Sequence, residues 1–376
     1  CRQDTSYRQS YEIVMKIFCL YILFFLGTNI LKTQELEIYN IGFLDVKDDE
    51  RYLKWGIHPV DIRSNFNKEK RAMQGAKLGI EDSQRFERLT KTKFLLEHIR
   101  KKNYSEAVNF LNSAASNKFN TILLDLNIQN IKDFKKVLLN KPNIIFFNVS
   151  DPNNNIRKKL CLDNFLNTYP SNSMFTDSIA QYLVKKKLNK TLLLTGPLYS
   201  DKQLSLSFKE SAKKFGLKII KENYFVNNND PRVRDKNNLF YLTKGKKYNN
   251  VFVSDIDGEF ALTVPNATMS PAVISGSAGL VPNAWHWAYL RHGAPQLNGR
   301  FERLSNRRMQ SKDWAAWISI KTIIESILRI QDTSNSSILK YIKSNSMHLD
   351  GSKGIGLNYR KVTNQLRQTI LLTSSN

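Results

Sequence analysis

The five histidines are the residues best suited to acid–base or metal chemistry, yet their spacing points to neither. None lies in an H-E-x-x-H motif, and His286 and His292 stand among aromatic residues with no carboxylate at ligand spacing. The chain also lacks a G-x-S-x-G nucleophile elbow and a P-loop. The run Asp-Ile-Asp-Gly-Glu at 255–259 resembles the opening of a calcium loop, but the remaining ligands are missing. The sequence therefore predicts no enzyme, no metal site and no cofactor.

A second set of polar residues has the chemistry to bind a small molecule rather than to react with it. Each member lies at the end of an apolar run of the kind that forms a buried strand. In parallel sheets, ligands bind outside the carboxyl ends of the strands, at the point where the strand order reverses. This rule selects Asp125, Ser150, Asp151, Thr195, Asp255 and Ser277 as candidate ligand-binding residues, together with Gly196 beside Thr195. For each residue taken alone, a helix cap or a turn is the alternative role.

These residues need a parallel sheet to position them, and the pattern along the chain predicts one. Four runs (TILLDL, IIFFNV, TLLLTG and NVFVSD) are apolar on both faces, which is typical of strands covered by helices on both sides. Apolar residues at helical spacing predict helices at 104–116, 131–139, 173–184, 201–215 and 313–329. A break near residue 150 divides the alternation into two runs. The sequence therefore predicts an α/β protein with two doubly wound parallel-sheet lobes.

Length and composition restrict the class of protein. The 376 residues are enough for two domains of ordinary size, and 41% hydrophobic residues exclude a disordered chain. Three cysteines cannot form a disulfide scaffold. The formal net charge of +24 first suggests nucleic acid as a partner, but the excess is spread along the whole chain instead of gathering on one helix or arm. We therefore interpret the charge as a diffuse surface coat and expect no nucleic-acid partner.

The only long apolar run, at 17–31, predicts a secretory signal. It follows Met15 and Lys16, so a start, a positive residue and an apolar segment occur in the order typical of such signals. A Gly-Thr-Asn interruption leaves the run short for a membrane span, although an uncleaved N-terminal anchor is the alternative. We expect residues 1–34 to be an upstream leader and a signal peptide, with cleavage near Gln34 and a periplasmic mature protein.

A distinctive aromatic segment lies between residues 285 and 317. It reads Trp-His-Trp at 285–287, Arg-His-Gly-Ala-Pro-Gln-Leu at 291–297, Arg-Phe at 300–301 and Asp-Trp-Ala-Ala-Trp at 313–317. This segment resembles the substrate-binding components of ABC transporters associated with pyrroloquinoline-quinone (PQQ)-dependent alcohol dehydrogenase systems. They are a branch of the type I periplasmic binding proteins related to the branched-chain amino acid binders. Less specific similarity covers most of residues 38–372.

The resemblance implies two lobes, joined by a three-strand hinge, that close over a small ligand. It implies lobe one at 35–149 and 282–345, and lobe two at 150–281 and 346–376. Family members continue beyond the strand near residue 365, so we expect C-terminal residues to be missing here. The implied partners are a small-molecule ligand and an ABC permease in the inner membrane, with the protein itself a monomer.

The resemblance also bears on the nature of the ligand. Amino acid binders of the wider family hold the ligand's ammonium with an acidic residue in the loop that corresponds to 276–279. That loop contains no carboxylate here, and a buried ammonium needs a partner, so a standard amino acid fits poorly. Asp125, Asp151 or Asp255 could supply the missing charge. Tyr199 is the aromatic residue expected to cover the ligand, with a plain surface position as the alternative.

Three other functions stay open at this point. The same fold can serve as a ligand-sensing receptor domain that signals to a membrane partner. Paired α/β lobes also occur in nucleotide-sugar transferases, for which Asp255 and Asp257 are the residues to test. A nucleic-acid binder would show salt-sensitive affinity for DNA. The predicted signal and the missing motifs favour a solute-binding protein over the last two, and a neighbouring permease or kinase gene would separate it from the first.

Overall fold

The computed structural model describes residues 36–53, 70–226, 231–245 and 247–374. The first sheet is formed by β1 Glu37–Val46, β2 Thr92–Lys101, β3 Thr121–Asp125, β4 Ile145–Asn148 and β5 Phe165–Asn167. Their order is β2-β1-β3-β4-β5, and the pairs β1–β3, β3–β4 and β4–β5 are parallel. The carboxyl ends of these parallel strands therefore share one edge of the sheet.

A second sheet follows along the chain, together with a small third one. The remaining strands are β6 Lys190–Thr195, β7 Lys218–Tyr224, β8 Asn250–Ser254, β9 Val273–Gly276, β10 Leu280–Asn283, β11 Leu349–Asp350, β12 Gly356–Tyr359, β13 Leu366–Arg367 and β14 Leu371–Ser374. The second sheet has the order β14-β10-β9-β8-β6-β7 and is parallel except for the antiparallel pair β10–β14. Strands β11, β12 and β13 form the antiparallel third sheet.

Helices connect the strands. They are α1 Glu50–Leu53, α2 Met73–Ser83, α3 Glu87–Thr90, α4 Tyr104–Asn112, α5 Ile131–Leu139, α6 Asn154–Lys159, α7 Asn172–Lys185, α8 Tyr199–Phe215, α9 Leu239–Thr243, α10 Ala294–Ser305, α11 Ser311–Ile330 and α12 Asn335–Ile342. No helix in the described ranges is both long and apolar enough to cross a membrane.

Apolar residues on both faces of each large sheet form the core. Within β3, Leu123 belongs to the same core as Ile318 of α11, whereas Ile122 belongs to the core on the opposite face, with Leu111 of α4. The strands of the second sheet divide in the same way, and Leu193 of β6 shares a core with helices α7 and α8. Helices thus cover both faces, which confirms the predicted α/β class and leaves the strand ends as the open edges.

Helices α2 and α11 cross at very close range. A methyl group added at Gly75 of α2 would overlap the backbone carbonyl oxygen of Asp313 in α11, and one added at Gly79 would meet the side chain of Ile320. Only residues without a side chain permit this approach. The contact places the beginnings of both helices beside the carboxyl edge of the first sheet, where the N-H group of Ala72 lies 3.4 Å from Asp125 Oδ2.

The chain passes between the two large sheets after β5, after β10 and after β13. The buried guanidinium of Arg157 joins the regions of two of these passages, next to β5 and β13, because it donates to the carbonyl oxygens of Asp151 and Tyr169 at 2.6 Å each and to Oε1 of Gln365 at 3.0 Å. Gln365 in turn donates to the carbonyl oxygen of Asn167 at 3.0 Å. Side chains from distant parts of the chain therefore fix the crossover region.

Several features of the structure differ from the sequence-based prediction, and some of the predicted features lie outside the described residues. The pattern does not predict β2 or the third sheet, because β2 is a half-exposed strand with many charged residues and β11 to β13 are very short. Strand β5 joins the first sheet, beyond residue 149, where the first predicted segment of lobe one ends. The lobe ranges otherwise stay a prediction. The expected leader and signal at 1–34, and His58, lie outside the described residues.

Candidate functional site

The carboxyl edge of the first sheet carries a group of charged and polar side chains. This group, called the edge cluster below, consists of Asp45, Asp49, Arg51, Tyr52, Arg71, Asp125, Ser150 and Lys312. Its members come from the ends of β1 and β3, the turn after β4, the short helix α1 and the beginnings of α2 and α11. Parallel strands and two helix beginnings meet here, which is the usual position for a ligand in this class of sheet.

Arg51 brings two of the predicted ligand-binding residues together. Its Nη1 donates to Ser150 Oγ at 3.0 Å, and its Nη2 lies 3.4 Å from Asp125 Oδ1. The same guanidinium forms a two-point ion pair with Asp49, with a shortest distance of 2.6 Å. Burial alone raises the pKa of Asp49, but the bonds from Arg51 outweigh it, so that pKa lies below its usual value.

Asp45, at the end of β1, is fully buried and contacts the basic side chains of Arg100 and His98. Arg100 donates to both of its carboxylate oxygens, at 2.9 and 2.8 Å, and His98 Nε2 lies 3.1 Å from Oδ2. Burial acts to raise the pKa of Asp45, whereas the hydrogen bonds from Arg100 and His98 lower it and prevail. The carboxylate is therefore ionised at neutral pH, and its negative charge is balanced within the protein.

Tyr52 contacts one carboxylate and two positive groups of the edge cluster. Its hydroxyl donates to Asp125 Oδ1 at 2.7 Å. The guanidinium of Arg71 and the ammonium of Lys312 lie 4.5 and 4.6 Å from the centre of its ring, within the range of cation–π attraction. Tyr52 thus holds two positive groups at the sheet edge next to Asp125.

Asp151 lies in the same turn as Ser150, but its carboxylate binds the protein backbone. Oδ2 accepts from the N-H of Ile128 at 2.8 Å, and Oδ1 accepts from the N-H of Asn153 at 2.8 Å. These bonds fix the loops after β3 and β4. In this structure the residue therefore has the turn-stabilising role that the sequence left open as the alternative.

The predicted residues of the second sheet form two separate contacts. The backbone N-H of Asp255, after β8, donates to Ser277 Oγ at 2.9 Å, so these two residues meet. Thr195, at the end of β6, shares a 2.9 Å hydrogen bond with Ser205 of α8. Gly276 permits the turn to Ser277, since its φ is +104° and a side chain there would overlap the backbone oxygen of Val253.

Tyr199 is exposed, with 70% of its surface accessible at the first residue of α8. The sequence missed Arg51, Tyr52 and Arg71, although an acidic run followed by an arginine just after a buried strand (Asp-Asp-Glu-Arg at 48–51) is a signal that could have revealed the first of them.

The aromatic segment at 285–317 packs inside the protein for the most part. Trp285 and Trp314 are fully buried and stack with ring centres 6.2 Å apart. The indole N-H of Trp285 donates to Asn298 Oδ1, and that of Trp314 donates to the carbonyl oxygen of Gly351. Trp287 is 41% exposed and lies under the guanidinium of Arg308. The segment thus stabilises the region next to the crossovers.

Asp255 gives the protein a specific pH dependence. Burial is the main cause that raises its pKa to about 6, with Asp201 nearby adding to it. Between pH 4 and pH 6 the folded state thus binds more protons than the unfolded state at Asp255, so this residue's contribution to the free energy of unfolding falls as the pH rises, by about 3 kcal/mol in all. Urea unfolding of the parent and of Asp255→Asn at several pH values should show this fall as the difference between the two profiles, because the variant lacks it. Glu259→Gln, an exposed change in the same loop, should keep it; an identical profile for the parent and Asp255→Asn would refute the assignment.

Within the described ranges, no group of three or more His, Cys, Asp or Glu side chains could hold a metal ion. The acidic residues of the edge cluster are instead paired with arginines.

Comparison with known proteins identifies the architecture. No family model and no curated protein matches the sequence. Among solved structures, an ABC transporter substrate-binding protein from Desulfitobacterium hafniense is 11% identical, with a TM-score of 0.66 over 91% of this chain and 98% of that one. A branched-chain amino acid ABC transporter periplasmic ligand-binding protein from Burkholderia xenovorans LB400 is 9% identical, with a TM-score of 0.67 over 89% of each chain. The chain has the type I periplasmic binding protein fold.

In a type I fold the two large sheets are the cores of two lobes, and the three passages between them are the hinge. The edge cluster then belongs to lobe one, and the Asp255–Ser277 pair to lobe two. A solute-binding protein from Rhodopseudomonas palustris, in complex with benzoate, also matches, with 10% identity and a TM-score of 0.63 over 89% of this chain and 92% of that one. At identities this low, the structural similarity establishes the fold but does not identify the ligand of this protein.

Proposed function

We propose that this protein is the solute-binding component of an ABC transporter. It captures a small ligand between its lobes and delivers it to a permease in the inner membrane. It acts as a periplasmic monomer and catalyses no reaction. The proposal combines the type I fold with the sequence pattern of a signal peptide at 17–31.

The edge cluster is the observation that carries this proposal. It concentrates Arg51, Arg71 and Lys312 at the carboxyl edge of the lobe-one sheet, where ligands bind in this class of fold. Matching structures were solved with leucine, isoleucine, benzoate and 3,4-dihydroxybenzoic acid, which all carry a carboxyl group. The arginine and lysine side chains of this edge suit the same group, so the ligand proposed for this protein is a small organic acid.

We further propose a link to PQQ-dependent alcohol oxidation. It is supported by the resemblance of the aromatic segment at 285–317, which packs beside the crossovers. Oxidation of an alcohol beyond the aldehyde gives a carboxylic acid, and that product has the charge which the edge cluster would attract. The ligand is then an acid formed by, or required for, that oxidation.

A thermal-shift screen tests the proposed function. The panel comprises alcohols, aldehydes, carboxylates, amino acids and PQQ. A ligand present at 100 times its Kd should raise the free energy of unfolding by about 2.7 kcal/mol, because it binds only the folded state. Arg51→Gln should reduce the shift, whereas Arg88→Gln, an exposed arginine of α3, should keep it. A panel without any stabilising compound would speak against a solute-binding protein.

A further inference from the structure

Three carboxylates near the lobe-one edge each form an ion pair with an arginine of their own. The pairs, with the shortest distance of each, are Asp45–Arg100 at 2.8 Å, Asp49–Arg51 at 2.6 Å and Asp313–Arg307 at 2.7 Å. Two further carboxylates lie at this edge: Asp125 accepts from the Tyr52 hydroxyl and contacts Arg51, and Asp151 accepts from backbone N-H groups. Arg71 and Lys312 lie at the same edge, beside the Tyr52 ring.

Arg71 has a hydrogen-bonding group that the protein leaves unused. Its Nη2 donates to the carbonyl oxygen of Lys47 at 2.9 Å, but its Nη1 is buried and has no hydrogen-bond partner among the described residues. The nearest carboxylate oxygen, Asp45 Oδ2, is 3.7 Å away and already accepts from Arg100. A buried N-H without an acceptor is unfavourable, and a bound carboxylate would supply the acceptor.

The surroundings of Arg71 add to its attraction for an anion. Its guanidinium rests 4.5 Å from the centre of the Tyr52 ring, which fixes its direction. The ammonium of Lys312 lies near the same ring, on a residue that is only 4% exposed. Helix α2 begins two residues after Arg71, and the positive end of its dipole lies at this edge.

Lobe two offers little for an ammonium group. The loop 276–279 contains no carboxylate. Asp255, on the neighbouring strand end, accepts from the backbone N-H of Ala261 at 2.8 Å, so one of its oxygens is already bound within its own loop. An amino acid bound at the lobe-one edge would bring its ammonium close to Arg71 and Lys312, and the loop 276–279 has no carboxylate to pair with it.

We propose that Arg71 binds the carboxylate of a small organic acid that has no ammonium group. This inference rests on the proposed solute-binding function and narrows its ligand class. Nη1 of Arg71 donates to the ligand, Tyr52 positions the guanidinium, and Lys312 adds positive potential. Arg51 stays with Asp49 and Ser150 as part of the framework.

Matched ligands test the inference on the unaltered protein. Isothermal titration compares 4-methylpentanoate with 4-methylpentanamide, which lacks the charge, and with L-leucine, which adds only the ammonium. A second pair, benzoate and benzamide, repeats the comparison of charge. We expect an acid to bind at least about 10-fold more tightly than its amide, because an arginine–carboxylate bond is charge-assisted. We expect L-leucine to bind more weakly than 4-methylpentanoate.

Variants test the role of Arg71 itself. Arg71→Gln should weaken binding of the acid about 10- to 100-fold while leaving the weak binding of the amide unchanged. Arg71→Lys should recover part of the affinity, since it restores the charge without the planar fork. Arg88→Gln makes the same change at an exposed position of lobe one and should have no effect.

The outcomes separate this inference from the broader proposal. Equal affinity for acid and amide, tighter binding of L-leucine than of 4-methylpentanoate, or undiminished acid binding by folded Arg71→Gln would each overturn the inference. If an alcohol or an amino acid binds instead, the solute-binding function stands and the ligand class is wrong. If no solute of any class binds, both are wrong. The comparison of acid with amide needs no variant, so it remains decisive even if Arg71→Gln does not fold.

Discussion

Replacing Arg157 with methionine should lower the free energy of unfolding by about 3 to 5 kcal/mol, among the largest single effects in this protein. The buried guanidinium donates to carbonyl oxygens of Asp151, Asn153 and Tyr169 and to the side chain of Gln365. Burial lowers the pKa of Arg157 to about 10, so the group still carries its charge at neutral pH. Methionine fills similar space but removes all four of these charge-assisted hydrogen bonds. The three carbonyl oxygens keep one other donor each, whereas Oε1 of Gln365 loses its bond from Arg157, and the crossover region loses its common partner.

Arg367→Met is the matched control for this prediction. Arg367 lies in β13, next to the same crossover, but it is exposed. Its replacement should change the free energy of unfolding by no more than about 0.5 kcal/mol. Urea unfolding of both variants measures the difference. Equal stability of Arg157→Met and Arg367→Met would show that the buried guanidinium does not hold the crossovers together.

Replacing Gly75 with alanine should lower the free energy of unfolding by about 3 kcal/mol. The added methyl group would overlap the backbone oxygen of Asp313, and a backbone atom cannot turn away as a flexible side chain can. Helices α2 and α11 must then move apart, which opens the packing around Ala76 and Ile320. Since Arg71 precedes α2 and Lys312 begins α11, the same change should also weaken ligand binding.

Replacing Gly299 with alanine should instead raise the free energy of unfolding slightly. Gly299 lies inside α10, and the only atom near an added methyl group is the end of the Arg303 side chain, at 3.8 Å. Alanine favours a helix over glycine by about 0.5 to 1 kcal/mol, so this variant should be slightly more stable than the parent protein. Thermal unfolding of the two variants side by side checks the sign of each change. A Gly75→Ala protein as stable as Gly299→Ala would contradict the close crossing of α2 and α11.

The strands and main helices could be predicted because burial and local capping act over short stretches of sequence. Strand β3 is buried along its whole length, so its apolar run marks the strand directly. Helix α5 begins and ends at the predicted residues, 131 and 139, and the side chain of Asn130 caps it by accepting from the N-H of Asp133. Strand β2 was not predicted, because it is half exposed and its charged and apolar residues do not alternate regularly.

The candidate site could be predicted only in part. The rule on strand ends selected Asp125 and Ser150, which both accept hydrogen bonds from Arg51. Asp125 is the last residue of the buried strand β3, and Ser150 lies just after the buried strand β4. The rule could not find Arg51, which joins them, since this residue comes from a single helical turn with no periodic pattern. Arg71 and Lys312 are far apart in sequence and meet only through Tyr52 and the crossing of α2 and α11.

The central claim is that the two lobes close over a small organic acid. Small-angle X-ray scattering tests it most directly when the whole chain is measured alone and with saturating benzoate, 4-methylpentanoate, L-leucine, ethanol, acetaldehyde or PQQ. Closure about the hinge brings the lobes together, so the radius of gyration should decrease with benzoate or 4-methylpentanoate. It should stay unchanged with ethanol and acetaldehyde, which carry no carboxylate. A radius of gyration that stays the same with every compound in the panel would contradict the claim.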